Sequence, residues 1–379
     1  MELVAQIAMD VSHAADERAA RHAYRRSFSR LRSQLQLYPD GSRPSEVFEN
    51  ATATVRSLAA DCLPLAIAVA MHLYPFCVLQ SVPIPLLSVA RLKRAMLLRT
   101  IRSRSLILAN TGSERSNGTT TPPIATRAAD GVRIDGRCEY LSLSSVADIV
   151  LFKAQLAESN HVVLCAADLR ASTVRIGAWK FSGAMELSDT SAVTFVNHRV
   201  PEGHYLIVPD DAGLGCITDY QRSWFHLFIA EIYLARVEHL GGSRTDEVTE
   251  LRQESLRLLD EFTMGADVEP LVRTTAALKL RVSMITQATA AALRSRGLAA
   301  EAGGLGYIKS QPTADDKILS YRPSPAASSL RPRRPASALP AAGPTDASCA
   351  SSAARSPSPP STARRPCRRR PSVGSPRPA

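Results

Sequence analysis

Apolar residues recur at helical spacing over the first 106 residues, which predicts an N-terminal helical domain, residues 1–106. Two long runs carry this pattern: "VAQIAMDVSHAADERAARHAYRRSFSRLRSQL" and "PSEVFENATATVRSLAADCLPLAIAVAMHL". Pro44 and Ser45 suit the first turn of the second helix, because the N–H that proline lacks is unpaired there anyway. A shorter segment, "ARLKRAMLLRTIRSR", predicts an amphipathic helix whose basic residues form a solvated face.

The pattern changes to that of β-strands between residues 107 and 210. Short β-type runs are separated there by Gly, Ser, Asp and Asn, at 132–143, 147–156, 161–169, 172–181 and 191–200. Since no helical run lies between them, they predict a central antiparallel β-barrel or sandwich domain, residues 107–210. The last run ends at Val200-Pro201, where the proline turns the chain out of the sheet.

Helical spacing returns after the strands and predicts a C-terminal helical bundle, residues 211–322. Its helices are expected at 219–240, 245–262 and 267–297, with glycines as stops between them. An aromatic stripe in the first helix is expected to pack in the core: Trp224, Phe225, Phe228 and Tyr233. The order of helices, strands and helices predicts the α+β class.

The composition collapses to Pro, Ser, Ala and Arg over residues 323–379, which have few large apolar side chains. Ordering these 57 residues would cost on the order of 85 kcal/mol at roughly 1.5 kcal/mol each. We therefore expect a disordered tail. So abrupt a change would also result from a shifted reading frame.

Charge is concentrated in that tail. The chain has a formal net charge of +11, but ten arginines and one aspartate in residues 323–379 account for +9 and leave +2 for the other 322 residues. A folded part this close to neutral gives little support to a basic binding face, so no specific nucleic-acid partner is expected.

Cysteine usage and the N-terminus bear on location. Seven scattered cysteines have no C-x-x-C pair and no histidine at metal-ligand spacing, which predicts buried thiols, a reducing cytoplasmic location and no metal site. The N-terminus lacks an apolar segment followed by a cleavage site, so no export signal is expected.

The stretch from Cys62 to Ala90 has no formal charge over 29 residues, enough to cross a bilayer as a helix. Four prolines within it oppose a continuous helix, since an interior proline costs about 3 kcal/mol. We expect a buried core helix followed by an extended loop, and no membrane partner. A membrane span is the alternative.

Three segments resemble the acyl-CoA dehydrogenase family: "VRIDGRCEYLSLSSVADIVLF", "RIGAWKFSGAMELSDTSAVTFVNHRVPEGHYLIV" and the G-G-x-G-containing "AEAGGLGYIKSQP". The resemblance covers roughly residues 50–320. It implies helices, a β-domain and a helical bundle, with FAD between the last two. It also implies an acyl thioester substrate, on coenzyme A or a carrier protein, and a homodimer or homotetramer.

The resemblance also suggests cofactor-binding residues. Tyr140 and Ser142 match the strand that borders the flavin ring in the family, and Ser144 lies just beyond. The turn "LILANTGSERSNG" would place Asn110, Gly112 and Ser116 near flavin and substrate. A hydroxyl donor there would polarise the ring as it accepts hydride. Serines after a strand also commonly cap turns, and that reading of Ser142 stays open.

Several family features are absent. The arginine-containing segment that reaches the FAD diphosphate is missing, with Arg244 the only nearby candidate. The glutamate base that follows the G-G-x-G loop has no counterpart; the start of the bundle, "TDYQRS", offers Asp219 or Gln221 instead, and the catalytic residues are left unassigned. The leading hypothesis is an FAD-dependent acyl-CoA dehydrogenase-like enzyme. The alternatives are a reduced-flavin monooxygenase on the same fold, which needs no such base, and a degenerate homologue that only binds.

Overall fold

A computed structural model describes residues 2–84, 88–111, 122–159, 161–208, 211–263, 267–298 and 305. Its first helices are α1 (Glu2–Ser12), α2 (Glu17–Leu31), α3 (Pro44–Asp61), α4 (Leu63–Ser81) and α5 (Val89–Ser103). The strands follow as β1 (Leu108–Asn110), β2 (Ile124–Ala128), β3 (Gly131–Leu141), β4 (Ile149–Leu156), β5 (Val162–Asp168), β6 (Val174–Trp179), β7 (Ser191–Pro201) and β8 (Tyr205–Val208). The last helices are α6 (Asp211–His239), α7 (Asp246–Glu261) and α8 (Glu269–Ser295). The α+β class is confirmed; the predicted tail, 323–379, lies outside the described residues.

Both long helical runs of the sequence are divided in two. The first breaks before Asp16, whose side chain accepts a hydrogen bond from the N–H of Ala19 and caps α2. The second breaks at Cys62, which has an extended backbone, and Pro64 then lies in the first turn of α4. The apolar spacing along the sequence continues across both breaks, but the local residues at Asp16 and Cys62 end one helix and begin the next.

The expected buried core helix is α4, which continues through Pro75 to Ser81 although an interior proline opposes a continuous helix. Most of α4 is buried among other elements, so its packing offsets the missing hydrogen bond of Pro75. Within the described residues α4 is the one helix with the length and hydropathy of a membrane span, and 72% of its most apolar window is buried. Such burial is typical of the core helix of a folded domain.

The strands form one mixed sheet in the order β6-β7-β3-β2-β4-β5-β8, with β1 also paired to β4. The purely antiparallel prediction is therefore wrong, since β1 and β2 both run parallel to β4. The hairpin of β2 and β3 explains why. β7 occupies the other edge of β3, so β4 pairs with the free edge of β2 instead. Since β2 and β3 are antiparallel and β4 runs opposite to β3, β4 is parallel to β2.

The sheet curves strongly. Phe152 of β4 and Phe195 of β7 stack with ring centroids 4.5 Å apart, although β3 and β2 lie between their strands. In a flat sheet strands three positions apart would be separated by about 14 Å. The two faces of the curved sheet therefore meet around these rings and form a core, as in a barrel or sandwich.

The helical core is centred on α6, which packs on α3, α4 and α8. Phe48 of α3 lies edge-on to Trp224 at 6.0 Å and to Phe228 at 5.4 Å. Trp224, Phe228 and Tyr233 are buried, as the sequence predicted, and Phe225 is half-buried at the side nearer to α4.

His72 joins three parts of the chain from inside α4. Its Nε2 lies 2.9 Å from the carbonyl oxygen of Leu37, and its Nδ1 accepts a hydrogen bond from the N–H of Leu108 at 2.9 Å. Since Nδ1 accepts, Nε2 carries the proton and the ring is neutral. Burial lowers the pKa of His72 to about 4.

Acid should therefore destabilise the protein through His72. Below pH 6.5, the ordinary pKa of histidine, His72 is protonated in the unfolded chain, whereas in the folded chain it stays neutral until about pH 4. The free energy of unfolding should fall by about 3 kcal/mol across that interval and level off below it. The measurement is urea unfolding from pH 7.5 to 4.5 of the wild type and of His72→Gln.

His72→Gln should lose stability less steeply with acid than the wild type, and the difference between the two slopes isolates His72 from buried His226. His13→Gln, at an exposed position, is the matched control. Equal slopes in wild type and His72→Gln would contradict the prediction.

Candidate functional site

Thr111, the residue after β1, meets the end of β3. Thr111, directly after Asn110, pairs with Leu141 in an antiparallel bridge, which brings Asn110 close to Tyr140 and Ser142 in the sheet. The amide nitrogen of Asn110 donates to the hydroxyl of Tyr74 on α4, and the Tyr74 ring lies edge-on to Phe225 of α6 at 5.8 Å. The sheet, α4 and α6 thus converge at this point, which we call the β1–β3 junction.

Tyr140 offers an accessible aromatic surface beside the junction, since 44% of the residue is exposed. The ring of Phe181 lies nearly parallel to it, with centroids 6.5 Å apart, and the ammonium group of Lys180 lies 4.7 Å from its centroid. Glu139 pairs with that ammonium and limits its motion. Tyr140, Lys180 and Phe181 together form an aromatic platform with one positive charge.

The two predicted serines differ in environment. Ser142 is half-buried, and its hydroxyl lies 3.0 Å from that of Thr190. Ser144 is buried, and its hydroxyl donates to Asp189 at 2.8 Å and lies 3.0 Å from the hydroxyl of Ser191. Ser142 therefore borders the platform side of β3, whereas Ser144 is engaged inside the protein.

Asp189 holds the loop that follows Ser142 and contains Ser144 and Ser145. It is fully buried, has a left-handed backbone (φ 48°), and accepts hydrogen bonds from the N–H and hydroxyl of Ser145, both at 2.7 Å. The indole N–H of Trp179 donates to it at 2.6 Å, in addition to the Ser144 hydroxyl. Burial raises the pKa of Asp189, and these hydrogen bonds act in the opposite direction.

Arg21 attaches α2 to β6 and β7, beside this loop. Its guanidinium donates to the carbonyl of Gly177 and to the hydroxyl of Ser191, both at 2.7 Å, and lies 5.4 Å from the ring of Trp179. Sequence reasoning assigned no role to Arg21, Tyr74 or Asp189. The Ser-Asp-Thr motif carried a signal for Asp189, but nothing local distinguishes Arg21 or Tyr74 from other residues of their helices.

Other residues named from the sequence contribute less. Gly112 and Ser116 lie outside the described residues, as do the glycines of the G-G-x-G loop. Asp219 is buried inside α6, which begins at Asp211, and its carboxylate accepts a hydrogen bond from Arg222 at 2.9 Å. Arg244 pairs with Glu238 at 3.1 Å. In the described ranges no group of three or more His, Cys, Asp or Glu side chains could hold a metal ion.

A groove of about 520 Å³ lies elsewhere, between α3 and α7. Two of its carboxylates already have partners: Asp260 accepts from the N–H and hydroxyl of Ser45, and Glu46 pairs with Arg43. The groove contains none of the residues of the β1–β3 junction, so we do not assign it to the flavin.

Comparison with solved structures identifies the fold. KijD3, in complex with FMN and dTDP-3-amino-2,3,6-trideoxy-4-keto-3-methyl-D-glucose, matches with a TM-score of 0.62 at 15% identity, over 86% of this chain and 95% of its own. FkbI, for biosynthesis of a methoxymalonyl extender unit, matches at 0.59 and 14%, over 84% and 96%. Both share their architecture with this chain over most of their length. The fold is that of the acyl-CoA dehydrogenases.

The same architecture occurs in dibenzothiophene monooxygenase (TdsC) from Paenibacillus sp. A11-2, with a TM-score of 0.53 at 18% identity, over 86% of this chain and 92% of its own. No protein-family model and no curated protein matches the sequence. The resemblance inferred from sequence motifs is thus supported at the level of the fold. KijD3 and TdsC have both been solved with FMN bound.

Proposed function

We propose that this protein is a flavin-dependent oxidoreductase of the monooxygenase type, with its flavin at the β1–β3 junction. The observation that carries the proposal is the Thr111–Leu141 bridge. It joins two segments far apart in the sequence that the family resemblance had assigned, independently, to one flavin. The fold, shared with FMN-containing and oxygen-using enzymes, supports the same assignment.

The residues at the junction fit a flavin. Tyr140 would border the planar ring system, and the hydroxyl of Ser142 is a donor for its polar edge. Lys180 would favour a reduced, negatively charged ring or a phosphate group. Asn110 is held in place by Tyr74, and Asp189 fixes the loop that follows Ser142. Ser144 would act by positioning that loop.

The monooxygenase is favoured over the acyl-CoA dehydrogenase because of Asp219. Abstraction of an α-proton needs a base within reach of the substrate, and the carboxylate that the sequence offered is buried and bound to Arg222. When bound, a reduced flavin supplies two electrons for oxygenation of a substrate by O₂. One oxygen atom enters the substrate and the other leaves as water.

FMN is the flavin we expect to bind best, rather than the FAD implied by the family resemblance. The chain lacks the arginine segment that would contact the FAD diphosphate, and Arg244 is paired with Glu238. The acyl thioester substrate, the homodimer or homotetramer, and the cytoplasmic location remain predictions. Light scattering of the purified protein would measure the oligomeric state.

We expect the purified protein to bind FMN, and Tyr140→Ala to weaken the binding about tenfold, because the ring loses its aromatic contact. Fluorescence titration with FMN and FAD measures both affinities. Val196→Ala, at a similarly exposed position on β7, is the matched control and should bind like the wild type. Absence of flavin binding by the wild type would overturn the assignment.

Oxygen consumption distinguishes a monooxygenase from a dehydrogenase. With a flavin reductase and a reduced nicotinamide, the protein should consume oxygen in excess of the free-flavin background when its substrate is present. Bleaching of bound flavin by an acyl-CoA without oxygen would instead establish the dehydrogenase and refute the monooxygenase.

A further inference from the structure

Helix α5 presents an apolar face to solvent. Among the described residues, Val89, Leu92 and Met96 are the three most exposed large hydrophobic side chains, at 69%, 63% and 62%. Their spacing of three and four residues places them on one face of the helix. We call these three residues the α5 apolar face. Scattered exposed hydrophobics are common, whereas three on one face of one helix indicate a contact surface.

The charges on α5 itself are all positive. α5 contains five basic and no acidic residues: Arg91, Lys93, Arg94, Arg99 and Arg102. Helical spacing places Arg99 in line with Leu92 and Met96, and Lys93 at the opposite margin of the face. Lys93 and Arg102 reach Glu202 and Asp40, both highly exposed acids, while Arg99 has no ion pair with a described residue.

The apolar face and the basic residues of α5 together indicate which kind of partner binds there. A second copy of the same face would bring two basic helices together, which is unfavourable. A stable protein partner needs about 800 Å² on each side, far more than three side chains provide. An anionic bilayer accepts a convex helix, takes up the apolar side chains and meets the surrounding cations with its phosphates.

We propose that α5 is a peripheral membrane-binding helix that places Val89, Leu92 and Met96 in the headgroup region of an anionic lipid surface. This contact differs from the membrane span considered for the sequence, because the apolar helix α4 is buried in the core. It also differs from the expectation of no membrane partner, which rested on that apolar stretch. Membrane contact is independent of the flavin proposal.

The test is co-sedimentation of the full chain with vesicles of phosphatidylcholine and phosphatidylglycerol (about three to one), compared with phosphatidylcholine alone. We expect binding to the mixed vesicles and little to the neutral ones. The double variant Leu92→Asp/Met96→Asp should reduce the partition coefficient at least ~10-fold, since apolar burial and charge both act against it. Met284→Asp, at an exposed position of α8, should bind like the wild type.

Two outcomes overturn the proposal. One is no binding of the wild type to mixed vesicles. The other is equal binding by the wild type and the double variant, which would assign binding to the ten arginines of residues 323–379. Thermal unfolding of each variant controls for folding, since both mutated positions are largely solvated.

Discussion

Asp189→Ala is expected to lower the free energy of unfolding by about 4 kcal/mol. The substitution removes the acceptor of four hydrogen bonds, from Ser144, Ser145 (two) and Trp179, in a fully buried setting. A buried donor left without a partner costs about 1–3 kcal/mol, although relaxation recovers part of that cost. Alanine also tolerates the left-handed backbone at this position poorly.

The loss of stability should depend on the carboxylate charge of Asp189 as well as on the shape of its side chain. Asp189→Asn can keep one acceptor oxygen, but its NH₂ group would face the N–H of Ser145, so we expect a loss of about 2 kcal/mol. Guanidinium denaturation measures both variants. Asp130→Ala, at an exposed surface pair with Arg199, should change stability by less than about 1 kcal/mol.

The same variants test how the site is built. If Asp189 only stabilises the fold, FMN affinity at a temperature where Asp189→Asn is folded will equal that of the wild type. We expect it to be weaker, because the loop that follows Ser142 is held through Ser145 and Ser144. A loss of stability below about 1 kcal/mol in Asp189→Ala would contradict the role assigned to this residue.

Glu231→Ala is expected to cost about 2–3 kcal/mol, because it removes the buried carboxylate that Arg56 and Arg252 share, while each arginine keeps a second partner, Glu238 and Glu49. Glu231 is buried in α6 and pairs with Arg56 of α3 at 3.2 Å and with Arg252 of α7. Arg252 also pairs with Glu49 at 2.8 Å, so the network joins three helices. Thermal or denaturant unfolding of the variant measures the loss.

The control for this network is on α7 itself. Glu261 pairs with Arg257 at the surface, and Glu261→Ala should cost less than about 1 kcal/mol. Combining Glu231→Leu with Arg252→Leu should be less destabilising than Glu231→Leu alone, since it also removes the charge of Arg252, which would then be compensated only by the half-exposed Glu49. An additive result would contradict coupling between the two side chains.

Local patterns predicted the secondary structure well where one face of an element is buried. β4 alternates buried and half-buried residues along its length, and its strand was predicted from that period. The short strands β1, β2 and β8 were missed because three to five residues carry too little alternation. The continuation of α4 through Pro75 could not be judged from the sequence, because burial of α4, a tertiary effect, decides whether a helix tolerates proline.

The α+β class, the order of a helical, a β and a second helical segment, and the motifs that resemble the acyl-CoA dehydrogenases could be read from the sequence, because they depend on neighbours along the chain. The folded structure was needed to show that Ser142 borders an open platform while Ser144 is bound to Asp189, and that β1 and β2 run parallel to β4. The physical reason is distance along the chain. Burial, hydrogen-bond partners and strand order depend on residues such as Arg21 and Asp189, far apart in sequence and brought together by folding.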